Sequence, residues 1–162
     1  LLSQDSIKFA DSLRYTTPGG KIVYGGGGIM PDVFVPLDTA GTSDYYSEAN
    51  GKGLINQFAY DYLDLHRKEI TGYKDFDAFN QGFHVDDKIY NEFLTYARKS
   101  GMKADPAGAR ISSAIIRTQL KALIARQIWK NDGFYPVIHS LDQTLRQALE
   151  LIGKQQVAVK GS

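Results

Sequence analysis

The sequence contains no cysteine among its 162 residues. Disulfides and thiolate metal sites are therefore excluded, whereas the cellular compartment stays open because many envelope proteins also avoid cysteine. No apolar run approaches the roughly 20 residues that a membrane-spanning helix requires, so we expect no transmembrane segment. An excess of one charge is missing too, since 19 basic and 18 acidic residues leave a net charge of +1. This balance argues against nucleic acid or an anionic membrane as partner.

The N-terminal quarter contains a clear turn, Thr17-Pro18-Gly19-Gly20. Proline fixes φ at the second turn position, and the glycine at the third tolerates a positive φ, so we expect a tight turn that reverses the chain. Ile7 and Phe9 alternate with polar residues before the turn, and Ile22-Val23-Tyr24 follows it with β-branched and aromatic side chains. The pattern predicts a β-hairpin.

Four consecutive glycines, Gly25 to Gly28, follow the hairpin. A phosphate-binding loop would open directly into a helix that carries a lysine and a serine or threonine. Here Ile29-Met30-Pro31-Asp32 and the apolar residues Val33, Phe34 and Val35 come next. We therefore interpret the glycines as a conformational loop and predict no cofactor.

The order of residues in this stretch resembles the end of the protease core in C-terminal processing peptidases, also called tail-specific serine proteases. The resemblance covers about the first quarter of the chain and lies on nine positions: Tyr15, Thr17, Pro18, Gly20, Lys21, Gly28, Ile29, Pro31 and Asp32. The helical remainder resembles, with weaker motifs, the C-terminal extension of Bacteroidetes-like members.

The resemblance implies an exported parent enzyme, periplasmic or in the cell envelope, that cleaves proteins near their C-termini with a serine nucleophile and a lysine base. Those two residues would lie upstream of the turn, as would the substrate-recognising PDZ module. No catalytic residue is therefore assigned to this chain, and alone it is predicted to be inactive. The start Leu1-Leu2-Ser3, which lacks an initiator methionine and a signal-peptide pattern, fits a chain cut from a longer one. The expected partners are the upstream core and PDZ module, protein substrates through the parent, and a second copy in a homodimer.

Beyond the hairpin, the spacing of apolar residues is mainly that of amphipathic helices. A turn-rich loop is expected over Ala40 to Gly53, in which Tyr45 or Tyr46 packs inward. Apolar spacing and capping residues then predict helices over 54–70, briefly over 75–79, over 87–99, from Asp105-Pro106 to about Asn131, and from Asp142 to Gly153. The segment from Phe134 to Ile138 is expected to be an apolar connector.

The predicted fold class is mainly α with a small N-terminal β segment, α+β, in which helices form a bundle around one long central helix. The expected domains are 1–38, a hairpin segment that completes a protease core; 39–53, a loop; 54–153, a helical domain; and 154–162, a frayed tail. In the bundle, Leu145, Ala148, Leu149 and Ile152 of the last helix should point inward.

Several groups of polar residues have the residue types of functional sites. Ser100 and Lys103 have a Ser-x-x-Lys spacing, but Gly101 indicates a helix end. His139, Ser140 and Asp142 are the residue types of a catalytic triad, yet proximity in sequence is no evidence for one. The acidic groups, Asp61 and Asp64 with His66, and Asp75, Asp77, Asp86 and Asp87, lack metal-site spacing, so no metal is predicted.

A basic face, formed by Arg110, Arg117, Lys121, Arg126 and Lys130, is expected to be a solvent or interdomain surface rather than a nucleic-acid site. The alternative to a peptidase fragment is a non-catalytic helical module for protein interaction or self-association. A serine segment and a lysine segment upstream of Leu1 would distinguish the two.

Overall fold

A computed structural model describes residues 14–20, 22–24 and 41–160. The chain divides into two compact units, residues 1–37 and 38–162. Helix dominates the described residues, which confirms the predicted mainly helical character. The β structure among them is one antiparallel ladder of two three-residue strands. The predicted strand residues Ile7 and Phe9 lie outside the described part.

The ladder pairs β1, Arg14–Thr16, with β2, Ile22–Tyr24, in a register that places Tyr15 opposite Val23. The amide of Gly20 donates a 2.9 Å hydrogen bond to the carbonyl of Thr17, so the chain reverses over the predicted four residues. The positive φ is that of Gly20 at +80°, and not that of Gly19. Glycine at the fourth position is typical of a type I turn.

The first helix, α1, spans Asp44–Gly51 in the segment for which a loop was predicted. Ser43 caps it by accepting from the amide of Tyr46. Tyr45 and Ala49, four residues apart, are both buried, so packing of one helix face outweighs the turn-forming composition. The loop prediction was wrong, although the expected inward packing of Tyr45 is confirmed.

Four helices follow, close to the predicted ranges: α2, Leu54–Leu65; α3, Arg67–Ile70; α4, Phe76–Gly82; and α5, Asp87–Lys99. The break between α2 and α3 falls at His66, where a single helix was expected. Asp75 and Asp86 cap α4 and α5 by accepting from backbone amides three residues later, each at 2.9 Å. These caps agree with the carboxylate preference at helix starts.

The predicted long helix from Pro106 is divided at two places. Helix α6, Pro106–Ile111, begins after the predicted cap Asp105, which accepts from the amide of Gly108 at 2.9 Å. It ends at Ser112, whose buried hydroxyl lies 2.8 Å from that of Ser43, so a tertiary contact accompanies the break. Helix α7, Ser113–Ile138, then runs to an interruption at Lys130 and resumes, so the expected apolar connector over 134–138 is helical instead.

The core of the second unit is built on α7. Its residues Ile116, Leu120 and Ile124 are fully buried, and α2, α4 and α6 pack against it. Phe58 of α2 meets Phe93 of α5 edge to face at a centroid distance of 5.5 Å. Aromatic pairs of this geometry add to the energy of burial, so α5 joins the core through α2.

The last helix differs from its prediction. A 3₁₀ turn, His139–Leu141, leads into α8, Gln143–Lys160, which continues past the expected end at Gly153 and through most of the predicted frayed tail. Leu149 and Ile152 are 59% and 52% exposed. Their inward orientation was a wrong prediction, since α8 contacts the 3₁₀ turn but leaves this apolar face open.

Candidate functional site

A cleft of about 460 Å³ lies between α2 and α7. Four positions on α2 and α3 and five on α7 line it: Asn56, Tyr60, Leu63, Arg67, Leu123, Arg126, Gln127, Lys130 and Asn131. We call this feature the basic cleft. Its volume is within the range of ligand sites in proteins.

The basic cleft takes its charge from three cations and has no carboxylate among its lining residues. Arg67 is paired with Asp64, whose oxygen lies 2.7 Å from the guanidinium, and both side chains are well exposed. Arg126 lies over the ring of Phe134 at 5.1 Å. Neither Arg126 nor Lys130 forms a salt bridge within the described ranges. Their charge is therefore available to an anionic ligand.

Amide and apolar side chains complete the lining. Gln127 donates from Nε2 to the carbonyl of Ala59 at 3.1 Å, which ties α7 to α2 and fixes this side of the cleft. Asn56 and Asn131 add exposed amides, each with donor and acceptor capacity. Tyr60 is 55% exposed, whereas Leu63 is buried, so the floor is apolar and the rim is polar.

The backbone of Lys130 has φ 56° and ψ −135°, the one positive φ of a non-glycine residue in the part described. Such a conformation costs of order 1–3 kcal/mol and is concentrated at functional sites. The break brings Gly133 close to the part of α7 that precedes it. A Cβ added at Gly133 would lie 2.8 Å from the carbonyl oxygen of Ala125. Glycine is thus required for this approach, and Lys130 is held at the end of the cleft.

Two members of the predicted basic face, Arg117 and Lys121, bond to neighbouring helices, so the five residues do not form one continuous solvent surface, which was one of the two roles expected of them. Arg117 donates to the carbonyl of Val85 at 2.7 Å and to the carboxylate of Asp87 at 2.6 Å. Its guanidinium also lies 4.5 Å from the ring centre of Tyr90. These contacts fasten the start of α5 to α7.

Lys121 is half-buried and donates from Nζ to the carbonyl of Asn80 at 2.6 Å. This carbonyl belongs to the last turn of α4, where a cation is favoured by the helix dipole. Burial lowers the pKa of Lys121. The residue therefore joins α4 to α7, while Arg110 at the end of α6 is exposed.

Structural roles account for the candidate catalytic residues Ser100, His139, Ser140 and Asp142. Ser100 ends α5, as Gly101 with its φ of +88° indicated. Ser140 donates to the carbonyl of Val137 at 2.7 Å, and Asp142 accepts from the amide of Leu145 at 2.9 Å. His139 lies against the ring of Tyr135. Asp142 thus caps α8 as predicted.

Most of the candidate acidic residues bond to neighbouring groups. Asp61 accepts from Gln57 at 2.9 Å, and His66 stacks on Tyr62 at 4.1 Å while Nδ1 approaches the Tyr62 carbonyl. Asp77 lies exposed in the first turn of α4. Over residues 14–20, 22–24 and 41–160, no three potential ligands cluster in a way that could hold a metal ion. No helix in these ranges is long and apolar enough to cross a membrane.

The nine positions of the peptidase resemblance are only partly described. Tyr15, Thr17, Pro18 and Gly20 form the end of β1 and the turn, whereas Lys21, Gly28, Ile29, Pro31 and Asp32 lie outside the described residues. The sequence pattern pointed to Arg126 and Lys130, but it missed the α2 side of the cleft. Asn56 and Tyr60, four residues apart, were the available signal.

Comparison with known proteins bears on the helical unit. No curated protein and no solved structure matches the chain. A model of a family of unknown function, DUF8443, matches residues 45–130, which lie within the helical unit and include most of the basic cleft. Because this match covers more than half of the 162 residues, the chain belongs to the DUF8443 family.

Proposed function

We propose that the chain is the non-catalytic C-terminal part of an exported serine-type C-terminal processing peptidase. The observation that carries the proposal is the turn: Tyr15, Thr17, Pro18 and Gly20 have the residue types and order of the peptidase motif, and they lie in a tight antiparallel hairpin. The glycine is required by its φ of +80°.

In this proposal the hairpin belongs to the β structure of the protease core, and the helical unit is an appended bundle that supports or assembles that core. The finer fold class, α+β with a bundle around α7, is part of the same proposal. The serine, the lysine and the PDZ module would be encoded upstream, and protein substrates would meet the chain through the parent. A periplasmic or envelope location follows from this assignment.

The reading frame upstream of Leu1 tests the proposal. We expect a serine segment and a lysine segment there, and we expect the longer product to degrade an unfolded protein. Gly20→Val should reduce that activity because valine is strained at positive φ, whereas Gly51→Ala should not, since an added Cβ there meets no atom within 4 Å. A reading frame without both segments would refute the peptidase assignment.

A second candidate function, self-association, is favoured by α8. Leu149, Leu151 and Ile152 are 59%, 40% and 52% exposed on this helix. Arg146 and Glu150 beside them offer charges of both signs to a second copy. Light scattering should then show a dimer that Leu149→Glu with Ile152→Glu converts to a monomer. A monomer in the unaltered chain would exclude this candidate.

A further inference from the structure

We propose that the basic cleft between α2 and α7 binds an acidic peptide segment. The cleft is lined by three cations, three side-chain amides and an apolar floor, and by no carboxylate. The proposal concerns this chain alone and does not depend on the peptidase assignment, because the cleft lies wholly within the helical unit.

Charge selects an anion. Arg126 and Lys130 are both exposed and both line the cleft from α7. A carboxylate in the cleft can form charge-assisted hydrogen bonds with them, for which the planar guanidinium is suited. Arg67 supplies a third cation from the opposite wall, although Asp64 partly neutralises it.

The neutral residues favour a peptide over an isolated phosphate. Asn56 and Asn131 present groups that both donate and accept, as a peptide backbone requires. The exposed Tyr60 ring and the partly buried Leu123 offer apolar contact for side-chain methylenes. A phosphate would use the cations but leave these groups without a role.

Backbone strain provides an independent observation. Lys130 has a φ of 56° at the end of the cleft, although a helical conformation at this position would carry no strain. The close approach of Gly133 to Ala125 maintains the break. Backbone strain of this kind is concentrated at functional sites, and here the strained residue is one of the two cleft cations that form no salt bridge among the described residues.

The test uses a fluorescein-labelled decapeptide of alternating glutamate and alanine, with its glutamine counterpart as control, in fluorescence anisotropy. We expect saturable binding of the glutamate peptide, weakened by added salt because the contacts are solvent-accessible. Arg126→Gln combined with Lys130→Gln should weaken it about tenfold or more, because two charge-assisted hydrogen bonds are lost. Arg110→Gln, an exposed basic residue on α6, should leave the affinity unchanged within about twofold.

Three results would overturn the proposal. The glutamine peptide could bind as well as the glutamate peptide, which would remove charge as the basis of recognition. The Arg110→Gln protein could lose as much affinity as the double variant, which would indicate a general electrostatic effect. Inorganic phosphate or a single-stranded oligonucleotide could displace the peptide at lower concentration than the free glutamate peptide does, which would assign the cleft to a different ligand. Circular dichroism of each variant confirms that the helices are retained.

Discussion

The clearest quantitative test of the fold compares two leucines that differ only in their surroundings. Leu120, on α7, is fully buried in the core of the helical unit. Leu149, on α8, is 59% exposed. Replacement by alanine removes the same atoms at both positions, so the difference in unfolding free energy reports burial alone.

For Leu120→Ala the transfer contribution is about 2.4 kcal/mol, from three methylene equivalents at about 0.8 kcal/mol each. The cavity left behind adds to it, because α2 and α4 can close around the site only in part, and measured Leu→Ala changes reach about 2.7–5 kcal/mol. For Leu149→Ala in the monomeric chain we expect less than about 0.5 kcal/mol, because the side chain is largely exposed there.

Urea denaturation followed by far-ultraviolet circular dichroism measures both values. The midpoint should fall strongly for Leu120→Ala and stay nearly constant for Leu149→Ala. Equal losses at the two positions would refute the assignment of α7 as the centre of the core. A changed denaturant slope would instead show that the unfolded state had been altered, and thermal unfolding would then decide.

Four further predictions concern individual residues of the helical unit. Arg117→Ala should destabilise the chain by about 1–3 kcal/mol, because it releases the start of α5 from α7; urea midpoints measure it, with Arg110→Ala as the exposed control. Lys121→Ala should cost about 1 kcal/mol through loss of the bond to the last turn of α4, and a loss near zero would contradict that bond. Lys130→Gly should raise stability by about 1 kcal/mol, since glycine tolerates its φ, and should weaken peptide binding; a lower melting temperature would contradict strain. Burial raises the pKa of Tyr62 and Tyr90 to about 12 from 10.0. The contribution of these two groups to stability is therefore fully present below about pH 10 and is lost as pH rises toward about 12, because the unfolded chain loses these protons before the folded chain does. Absorbance of tyrosinate followed with circular dichroism measures this, and unchanged stability up to pH 12 would contradict it.

Local signals determined how well each helix could be predicted. The bounds of α5 agree with the sequence because Asp86 caps its start and Gly101 follows its end. Helix α1 was missed because serine, asparagine and glycine dominate the segment, although Ser43 and the spacing of Tyr45 and Ala49 contained the signal. Capping and periodicity are therefore better guides here than average composition.

The breaks within the predicted long helix have tertiary causes. Ser112 meets Ser43, 69 positions earlier in the chain, and no local pattern encodes that contact. Lysine favours helix at position 130, whereas the close approach of Gly133 to Ala125 requires a kink there. The open face of α8 likewise could not be predicted, because its apolar spacing is that of a buried helix.

Only the α7 side of the basic cleft could be predicted from the sequence. Arg126 and Lys130 lie four residues apart in the predicted long helix, so the sequence alone places them on one face. The opposite wall comes from α2, and the identity of the facing residues depends on how α2 packs against α7. The contacts of Arg117 with the start of α5 and of Lys121 with α4 could not be predicted either, because sequence periodicity does not give the positions of those helices.

Peptide-bond hydrolysis tests the central functional claim most directly. The 162-residue chain and a product extended upstream of Leu1, which the proposal expects, would be incubated with the same unfolded protein, and new termini would be counted by mass spectrometry. The account predicts hydrolysis by the longer product alone, abolished when the upstream serine is replaced by alanine. Turnover by the 162-residue chain that Ser100→Ala abolishes, or no turnover by the longer product, would contradict it.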